Sequence, residues 1–315
     1  MSLLRGRQEI NPVNGFLKNI IREKLTMHIG MIGIGLMGHG IASNILKNDS
    51  YRLTFLTHHG NQPTNRLEAA GAMAADSIKE VVDGADILLI CVTGAAQVEE
   101  ILFSPEGVST HAKKGQIIID CSTSMPEKTR LFAAKLSKAG IPLVDAAMTR
   151  TPKEAAEGRL NLIVGAEKEI FDHLHPLLSQ FAENIVHAGA VGSGQALKLI
   201  HNYVSLGYAA VMAEAAAQAQ KQGIDPQRFL DVLYVGGGNS VVLERFRPFL
   251  TDKDISGLQF SLSNAAKDIG YYIQAYEDTP ISSAVMDLFC RGVAEIGGSE
   301  SVLHLTDLLA KKAKS

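Results

Sequence analysis

Tryptophan is absent from the 315 residues, and cysteine is confined to Cys91, Cys121 and Cys290. An odd number of thiols, with no C-x-x-C and no Cys/His cluster, supports neither a disulfide framework nor a structural zinc site, and a reducing cytoplasm is the expected setting. An excess of positive charge is lacking as well: 30 Lys plus Arg face 33 Asp plus Glu, for a net charge of −3. That removes the electrostatic footprint of a nucleic-acid binder, so a small anionic ligand must be caught locally. No hydrophobic run approaches the roughly 18 to 20 residues of a membrane span, and the N-terminus lacks a secretory apolar segment, so no membrane partner is expected. Paired carboxylates such as Asp252 and Asp254 have no companion ligand set. No metal is expected.

Length predicts two domains, and a composition of 46% hydrophobic and 20% charged residues is that of an ordinary globular enzyme. Residues 1–26 read as a polar extension before an in-frame Met27, either dispensable or an early start, with an organelle presequence as the minor alternative. From Met27 apolar runs alternate with helical patterns. His28 to Gly33, Leu53 to Leu56, Ile87 to Val92, Ile117 to Asp120, Pro142 to Ala146 and Asn161 to Val164 read as strands, and the sheet finishes near Val186. Helical patterns at 36–46, 77–82 and 127–139 lie between them. The rhythm predicts an α/β fold, a parallel doubly wound Rossmann-type sheet over 27–190. Beyond Val191 the character is helix alone, so residues 191–315 form an all-α domain for substrate and oligomerisation. A long helix over 195–220 leads it, closing at Gly223. Further helices are expected at 225–234, 241–246, 258–276, 281–296 and 303–312, with Gly236-Gly-Gly238 as a loop between two of them.

Gly33-Ile-Gly35-Leu36-Met37-Gly38 is G-x-G-x-x-G between a strand and a helix. In that context the first glycine allows the tight turn, the second admits a pyrophosphate to the backbone, and the third lets helix and strand pack closely. The segment Gly33 to Gly38 is therefore the expected cofactor turn, with Met37 filling the space beneath it. About twenty residues on, where an acidic side chain ordinarily holds the adenosine ribose, stand Thr57, His58 and His59. Without a carboxylate there, NADP is expected over NAD, and NAD stays possible. Arg66 is a further candidate donor to a 2′-phosphate.

Lys198 and Asn202 are four residues apart on the long helix and share one face, just after Gly192-Ser-Gly194. A lysine beside a nicotinamide can exchange a proton with an alkoxide, and an amide can hold the hydroxyl.

Four segments, taken in order, resemble the β-hydroxyacid dehydrogenase family, which includes 3-hydroxyisobutyrate dehydrogenase, tartronate semialdehyde reductase and, more distantly, 6-phosphogluconate dehydrogenase. They are Gly33 to Asn44, Asp120-Cys-Ser-Thr-Ser-Met-Pro126, Gly192 to Asn202, and Ala266-Lys267-Asp268-Ile-Gly270. The resemblance implies Lys198 as catalytic acid/base and Asn202 and Ser122 as substrate contacts. It further implies Val92, Thr93 and Thr123 along the cofactor and Lys267 at its nicotinamide end.

Two departures bear on substrate and cofactor. Where the family commonly has Asp-Ala-Pro-Val-Ser-Gly-Gly, this chain reads Asp145-Ala-Ala-Met-Thr149-Arg150-Thr151. Arg150 presents a planar fork of donors suited to an anionic head group, with Thr149 and Thr151 beside it; pairing with Glu154 or Glu157 is its structural alternative. The segment is similar to that of sulfolactaldehyde reductases, so a larger anion such as a sulfonate is one option and a four-carbon hydroxyacid another. The family's usual Leu-Pro after the fourth strand is replaced by Val92-Thr93-Gly94. The expected activity is hydride transfer between a nicotinamide dinucleotide and a short β-hydroxyacid or its semialdehyde. A catalytically silent dehydrogenase-fold binding or assembly protein is the alternative of another class, against which the retention of Lys198, Asn202 and Lys267 argues. The apolar, Ala-rich helical half predicts a homodimer or homotetramer.

Overall fold

A computed structural model describes residues 26–311. The extension expected over 1–26 lies, except for Thr26, outside the described residues. The first half interleaves strands β1 (Met27–Ile32), β2 (Tyr51–Leu56), β3 (Met73–Ala75), β4 (Ile87–Ile90), β5 (Ile117–Asp120), β6 (Leu143–Thr149), β7 (Leu160–Gly165) and β8 (Ala182–Gly189) with eight helices. These are α1 (Leu36–Ile45), α2 (Asn65–Ala69), α3 (Ile78–Asp83), α4 (Ala95–Phe103), α5 (Val108–His111), α6 (Pro126–Ser137), α7 (Pro152–Glu157) and α8 (Lys168–Leu178). The sheet runs β3-β2-β1-β4-β5-β6-β7-β8, so the strand order reverses between β1 and β4.

All four residues of β4 are buried, the signature of an interior strand covered on both faces. Successive side chains serve opposite cores. Ile29, Met31 and Leu89 join one apolar cluster with α1 and α8, while Leu88, Ile90 and Ile118 join another beneath α3, α4 and α6.

The sheet departs from the expected all-parallel arrangement at one place: β7 runs antiparallel to β6. A parallel return needs roughly a dozen residues or more to cross the sheet face. The link over 150–159 holds only the short α7, so the chain folds straight back. The three-residue β3 was not expected, nor were α2, α4, α5, α7 and α8, whose short or mixed patterns carry little periodicity.

The helical half contains α9 (Ser193–Lys221), α10 (Pro226–Tyr234), α11 (Val241–Asp252), α12 (Leu262–Tyr276), α13 (Pro280–Glu295) and α14 (Leu305–Ala310). Phe246, Phe249, Leu262 and Phe289 are at its centre. At 29 residues, α9 is roughly 43 Å long, and it touches both β6–β8 and the helices of the second half. Two boundaries differ from expectation by four residues or more. Helix α11 continues past Phe246 through Pro248 to Asp252. Helix α12 starts only at Leu262, because Ser261 bridges to Ser301 and its side chain caps the Asn264 N–H. Leu197, Ile200, Val204, Tyr208 and Val211 stay exposed along α9, spaced three and four apart and so on one face. Among the described residues no helix is long and apolar enough to cross a membrane.

Candidate active site

The strand-order reversal leaves a crevice beyond the C-terminal ends of β1 and β4, the usual place for a ligand in an open α/β sheet. A cleft of about 450 Å³ occupies it, walled by Gly33, Gly35, His58, Asn61, Val92 and Thr93 among others. Gly33 has φ +104°, and a Cβ on Gly38 would stand 1.9 Å from the Gly33 carbonyl oxygen. Around Gly35, by contrast, a Cβ would meet nothing within 4 Å. One glycine thus makes the turn, another lets helix and strand touch, and the middle one borders open space at the N-terminus of α1. That end has no side-chain cap and no acidic residue in its first turn, so its amide groups and positive dipole end are available to a pyrophosphate. The cradle fits a dinucleotide.

Residues after β2 brace this turn. Asn61 accepts from the Ile34 N–H through Oδ1 (3.4 Å) and donates to the Leu56 carbonyl through Nδ2 (3.0 Å). His58 Nδ1 accepts from the Gly60 N–H at 3.0 Å, which places its remaining proton on Nε2 as a donor. Thr57 is elsewhere. Its hydroxyl faces the Ala75 carbonyl and the Asp76 carboxylate, at 2.9 and 2.7 Å, and it does not line the cleft. Leu36 is exposed beside the turn, and Met37 packs against the core beneath it.

A second pocket, about 80 Å³, opens between the end of β6 and helices α9 and α11, and brings together Thr149, Arg150, Lys198, His201, Asn202 and Arg245. Glycine positions the start of α9 here: a Cβ on Gly194 would stand 2.5 Å from the Ile163 carbonyl. Asp145 accepts from the Gly192 and Gln195 N–H groups at 2.7 and 2.8 Å. Burial lifts this carboxyl to about 6, opposed by the two amides. Gln195 then reaches back, donating to the Ser122 carbonyl (2.7 Å) and accepting from the Ser124 N–H (2.9 Å). These bonds lock the strand-end loops to the helix that carries Lys198.

Lys198 and Asn202 are both buried, at 8% and 6% exposure. Burial pulls the Lys198 ammonium down to about 8, resisted by the charge of Asp268 and reinforced by Lys267 and Arg245. Asn202 donates through Nδ2 to Asp268 Oδ2 at 2.7 Å. Its Oδ1 therefore faces His201 Nδ1, 3.1 Å away, and His201 donates. Burial also lowers the His201 pKa. Lys267 is 3.3 Å from Asp268 Oδ1 and donates to the Thr93 carbonyl at 2.6 Å. Since Thr93 lines the first cleft, the run Thr93, Lys267, Asp268, Asn202 joins that cleft to the second pocket.

Some sequence-predicted residues stand apart. Ser122 is buried, its Oγ accepting from the Val92 N–H at 3.0 Å, and it lines neither cavity; Thr123 follows it, also outside both linings. Thr151 spends its N–H and hydroxyl on the Glu154 carboxylate, capping α7. Arg150, at φ +80°, walls the pocket but directs Nη1 to the Glu183 carboxylate and the Arg159 carbonyl. It therefore pairs with neither Glu154 nor Glu157. Its Nε and Nη2 have no protein acceptor among the described residues and are left as donors. Sequence reasoning missed Asn61, Gln195, Asp268, His201 and Arg245. Asp268 and Gln195 sit inside motifs already singled out, whereas nothing in the sequence around Arg245 announces it.

Comparison with known proteins matches the same two halves. Residues 28–189 match the NAD binding domain of 6-phosphogluconate dehydrogenase, and residues 192–308 match the NAD-binding domain of NADP-dependent 3-hydroxyisobutyrate dehydrogenase. The chain is 29% identical to 2-(hydroxymethyl)glutarate dehydrogenase of Eubacterium barkeri, over 88% of this chain and 93% of that one. It is 28% identical to 2-hydroxy-3-oxopropionate reductase of Escherichia coli, over 87% and 94%. The crystal structure of 3-hydroxyisobutyrate dehydrogenase from Salmonella typhimurium is similar with a TM-score of 0.78 and 27% identity, covering 90% of this chain and 99% of that one.

Proposed function

The chain belongs to the β-hydroxyacid dehydrogenase family, and from that premise we propose how its residues divide the work of an NAD(P)-dependent oxidoreductase acting on a short β-hydroxyacid or its semialdehyde. Lys198 is the acid/base. In the oxidative direction its neutral amine takes the hydroxyl proton as the C–O bond gains double-bond character. In the reductive direction its ammonium returns that proton to the alkoxide oxygen. The hydride exchanged at the same carbon is the chemistry a nicotinamide supplies when bound. Asn202, clamped between Asp268 and His201, holds the substrate oxygen beside Lys198. Gly33 to Gly38 with Val92 and Thr93 cradle the dinucleotide, residues 27–190 forming its domain and 191–315 the domain that completes the substrate pocket. Lys267 ties that pocket to the nicotinamide end through Thr93, and Ser122 and Thr123 support the loop behind it.

One observation carries this reading. Lys198 and Asn202 project one turn apart into the same pocket, buried, with Asp268 supporting both. Thr149 and the free donors of Arg150 would take a substrate carboxylate, Glu183 holding the guanidinium in place. Thr151 shapes the loop by capping α7. NADP is favoured over NAD because the residues that follow β2 into the cleft are His58, Gly60 and Asn61, none of them a carboxylate; the cleft's acidic residue, Glu100, comes from α4 instead. The exposed apolar face of α9 supports self-association as a homodimer or homotetramer, and three unpaired thiols suit a reducing cytoplasm.

The test is Lys198→Ala, assayed as dinucleotide reduction with a panel of short β-hydroxyacids. Turnover should fall by roughly two orders of magnitude or more, with dinucleotide affinity nearly intact. In the wild type, oxidation should rise with pH through about 8 as Lys198 loses its proton, and reduction should fall over the same range. Unchanged turnover in the variant removes Lys198 from the chemistry.

A further inference from the structure

Arg245 lies on α11, in the helical half, and forms part of the second pocket's wall together with Lys198, Asn202 and Thr149. Its charge is near enough to act on Lys198 and His201, which line the same pocket, and on Glu154 of α7. It is only partly exposed. Every other full cation of this region has a carboxylate within 4 Å or shares one: Arg150 has Glu183, Lys267 has Asp268, and Asp268 also supports Lys198. Arg245 has none. Among the described residues nothing accepts a hydrogen bond from its guanidinium and no ion pair includes it. Glu154, the carboxylate that feels it, already receives the N–H and hydroxyl of Thr151.

No Asp or Glu lines the pocket, so Arg245 faces a cavity that offers it no anion. In the proposed reaction the other cations and the amide of the wall are already used. Lys198 and Asn202 take the reacting oxygen, and Thr149 with Arg150, at the end of β6, takes one carboxylate. Arg245 comes from a different element and is left over. A half-buried guanidinium with five unspent donors matches a planar or tetrahedral anion and is poorly suited to a methyl or hydrogen substituent.

We propose that Arg245 forms a second anion subsite, so that the preferred substrate carries two anionic groups: a short β-hydroxyacid bearing a second carboxylate or sulfonate, which makes it a dianion, or a phosphate group on its chain. The inference rests on the reading of the pocket as a hydroxyacid site and narrows its substrate class. His201 does not share the task, because its Nδ1 proton is given to Asn202 and its burial disfavours the charged form. It positions Asn202 instead.

The experiment compares turnover of 3-hydroxypropanoate with that of 2-(hydroxymethyl)succinate and 2-(hydroxymethyl)glutarate. In parallel, butyrate, glutarate, 3-sulfopropanoate and 3-phosphonopropanoate are titrated as unreactive ligands into the dinucleotide-loaded protein by calorimetry. The wild type should prefer dianions over monoanions at least tenfold in kcat/KM and in affinity. The glutarate, sulfo and phosphono arms rank the second group. Arg245→Met should lower the dianion-to-monoanion ratio by about 10- to 100-fold, the scale of one charge-assisted hydrogen-bonded contact, and Arg245→Lys should restore part of it. A wild-type ratio near one, or a ratio unchanged in Arg245→Met, overturns the subsite. Equal losses on mono- and dianions overturn it too, by making Arg245 part of a single carboxylate clamp. Absence of turnover with every acid would defeat the parent reading alone, since the calorimetric ratios still decide Arg245. If Arg245→Met fails to fold, the wild-type ratios decide.

Discussion

Asp268 and Asn202 are joined by a 2.7 Å hydrogen bond across the interface of α12 and α9, and the same carboxylate opposes the desolvation of Lys198. One buried side chain therefore sets both the orientation of the amide and the proton affinity of the amine. Two substitutions separate these tasks. Asp268→Asn keeps an acceptor for Asn202 and removes the charge, so the limb of the pH profile governed by Lys198 should move below about 8. The direction follows from the sign: Asp268 favours the ammonium, and without it the proton leaves at lower pH. Asp268→Ala should show the same displacement together with a further loss in kcat of about 10- to 100-fold from the freed amide. Rate profiles from pH 6 to 10 read both effects, and an unmoved limb in Asp268→Asn would mean the carboxylate acts through packing alone.

Much of this architecture is legible in the sequence because it rests on local patterns. The apolar runs at Ile87–Ile90 and Ile117–Asp120 and the glycine turn after β1 depend on residues close to one another in the chain. The helix over 195–220 is legible for the same reason: its composition leaves little else to form. The antiparallel return of β7 is not periodic information; it follows from the length of the 150–159 link. Arg150 was legible as a pocket residue, but its partner Glu183 sits on β8, a strand that meets β6 only through β7. Arg245 is harder still. On α11 it follows Glu244 and precedes Phe246 and Arg247 like any helical surface residue, and only the packing of α11 over α9 turns it toward Lys198.

The adenosine end of the cleft gives a prediction about the cofactor. His58 Nδ1 accepts from Gly60, which leaves Nε2–H to meet a 2′-phosphate. His58→Ala should weaken NADPH about tenfold, the lower end of the range for a hydrogen bond to a charged group because the site is exposed, and leave NADH nearly unchanged. Thr57→Asp should act in the same direction but more weakly, since its carboxylate would stand beside Asp76, outside the cleft lining, and repel a 2′-phosphate only at longer range. Fluorescence titrations at matched ionic strength measure both, because surface charge effects are screened by salt. Tighter binding of NADH than NADPH by the wild type would reverse the assignment.

Self-association is predicted from α9. Val204 and Val211 are 53% and 68% exposed on the same helical face as Leu197, Ile200 and Tyr208. A continuous apolar stripe of this kind left in water is unfavourable by about 25 cal/mol per Å², and a second copy would cover it. Light scattering at micromolar concentration should give at least twice the chain mass. Val211→Glu should shift it toward the monomer, because a carboxylate buried against its symmetry mate has no partner. A wild-type monomer would leave the stripe unexplained by self-association.

The glycine turn allows folding and binding to be tested separately with one methyl group at a time. At Gly38 the added carbon would stand 1.9 Å from the Gly33 carbonyl oxygen, a backbone atom that cannot rotate away. Gly38→Ala should therefore cost about 1 to 3 kcal/mol of stability, the range for an overpacked site, and disturb the turn itself. At Gly35 the backbone has φ −74°, which alanine adopts freely, and the carbon would meet nothing within 4 Å. Gly35→Ala should fold with stability inside about 0.5 kcal/mol of the wild type, as expected for a change that touches no packed atom. In the proposed cradle its methyl group would occupy the space through which a pyrophosphate reaches the amides of α1. Dinucleotide affinity should consequently fall tenfold or more, while the melting curve without dinucleotide stays where it was. Thermal melts with and without NADPH distinguish the cases. If Gly35→Ala binds NADPH as the wild type does, the phosphates do not pass over Gly35, and the cradle at the end of β1 is not where the cofactor is held.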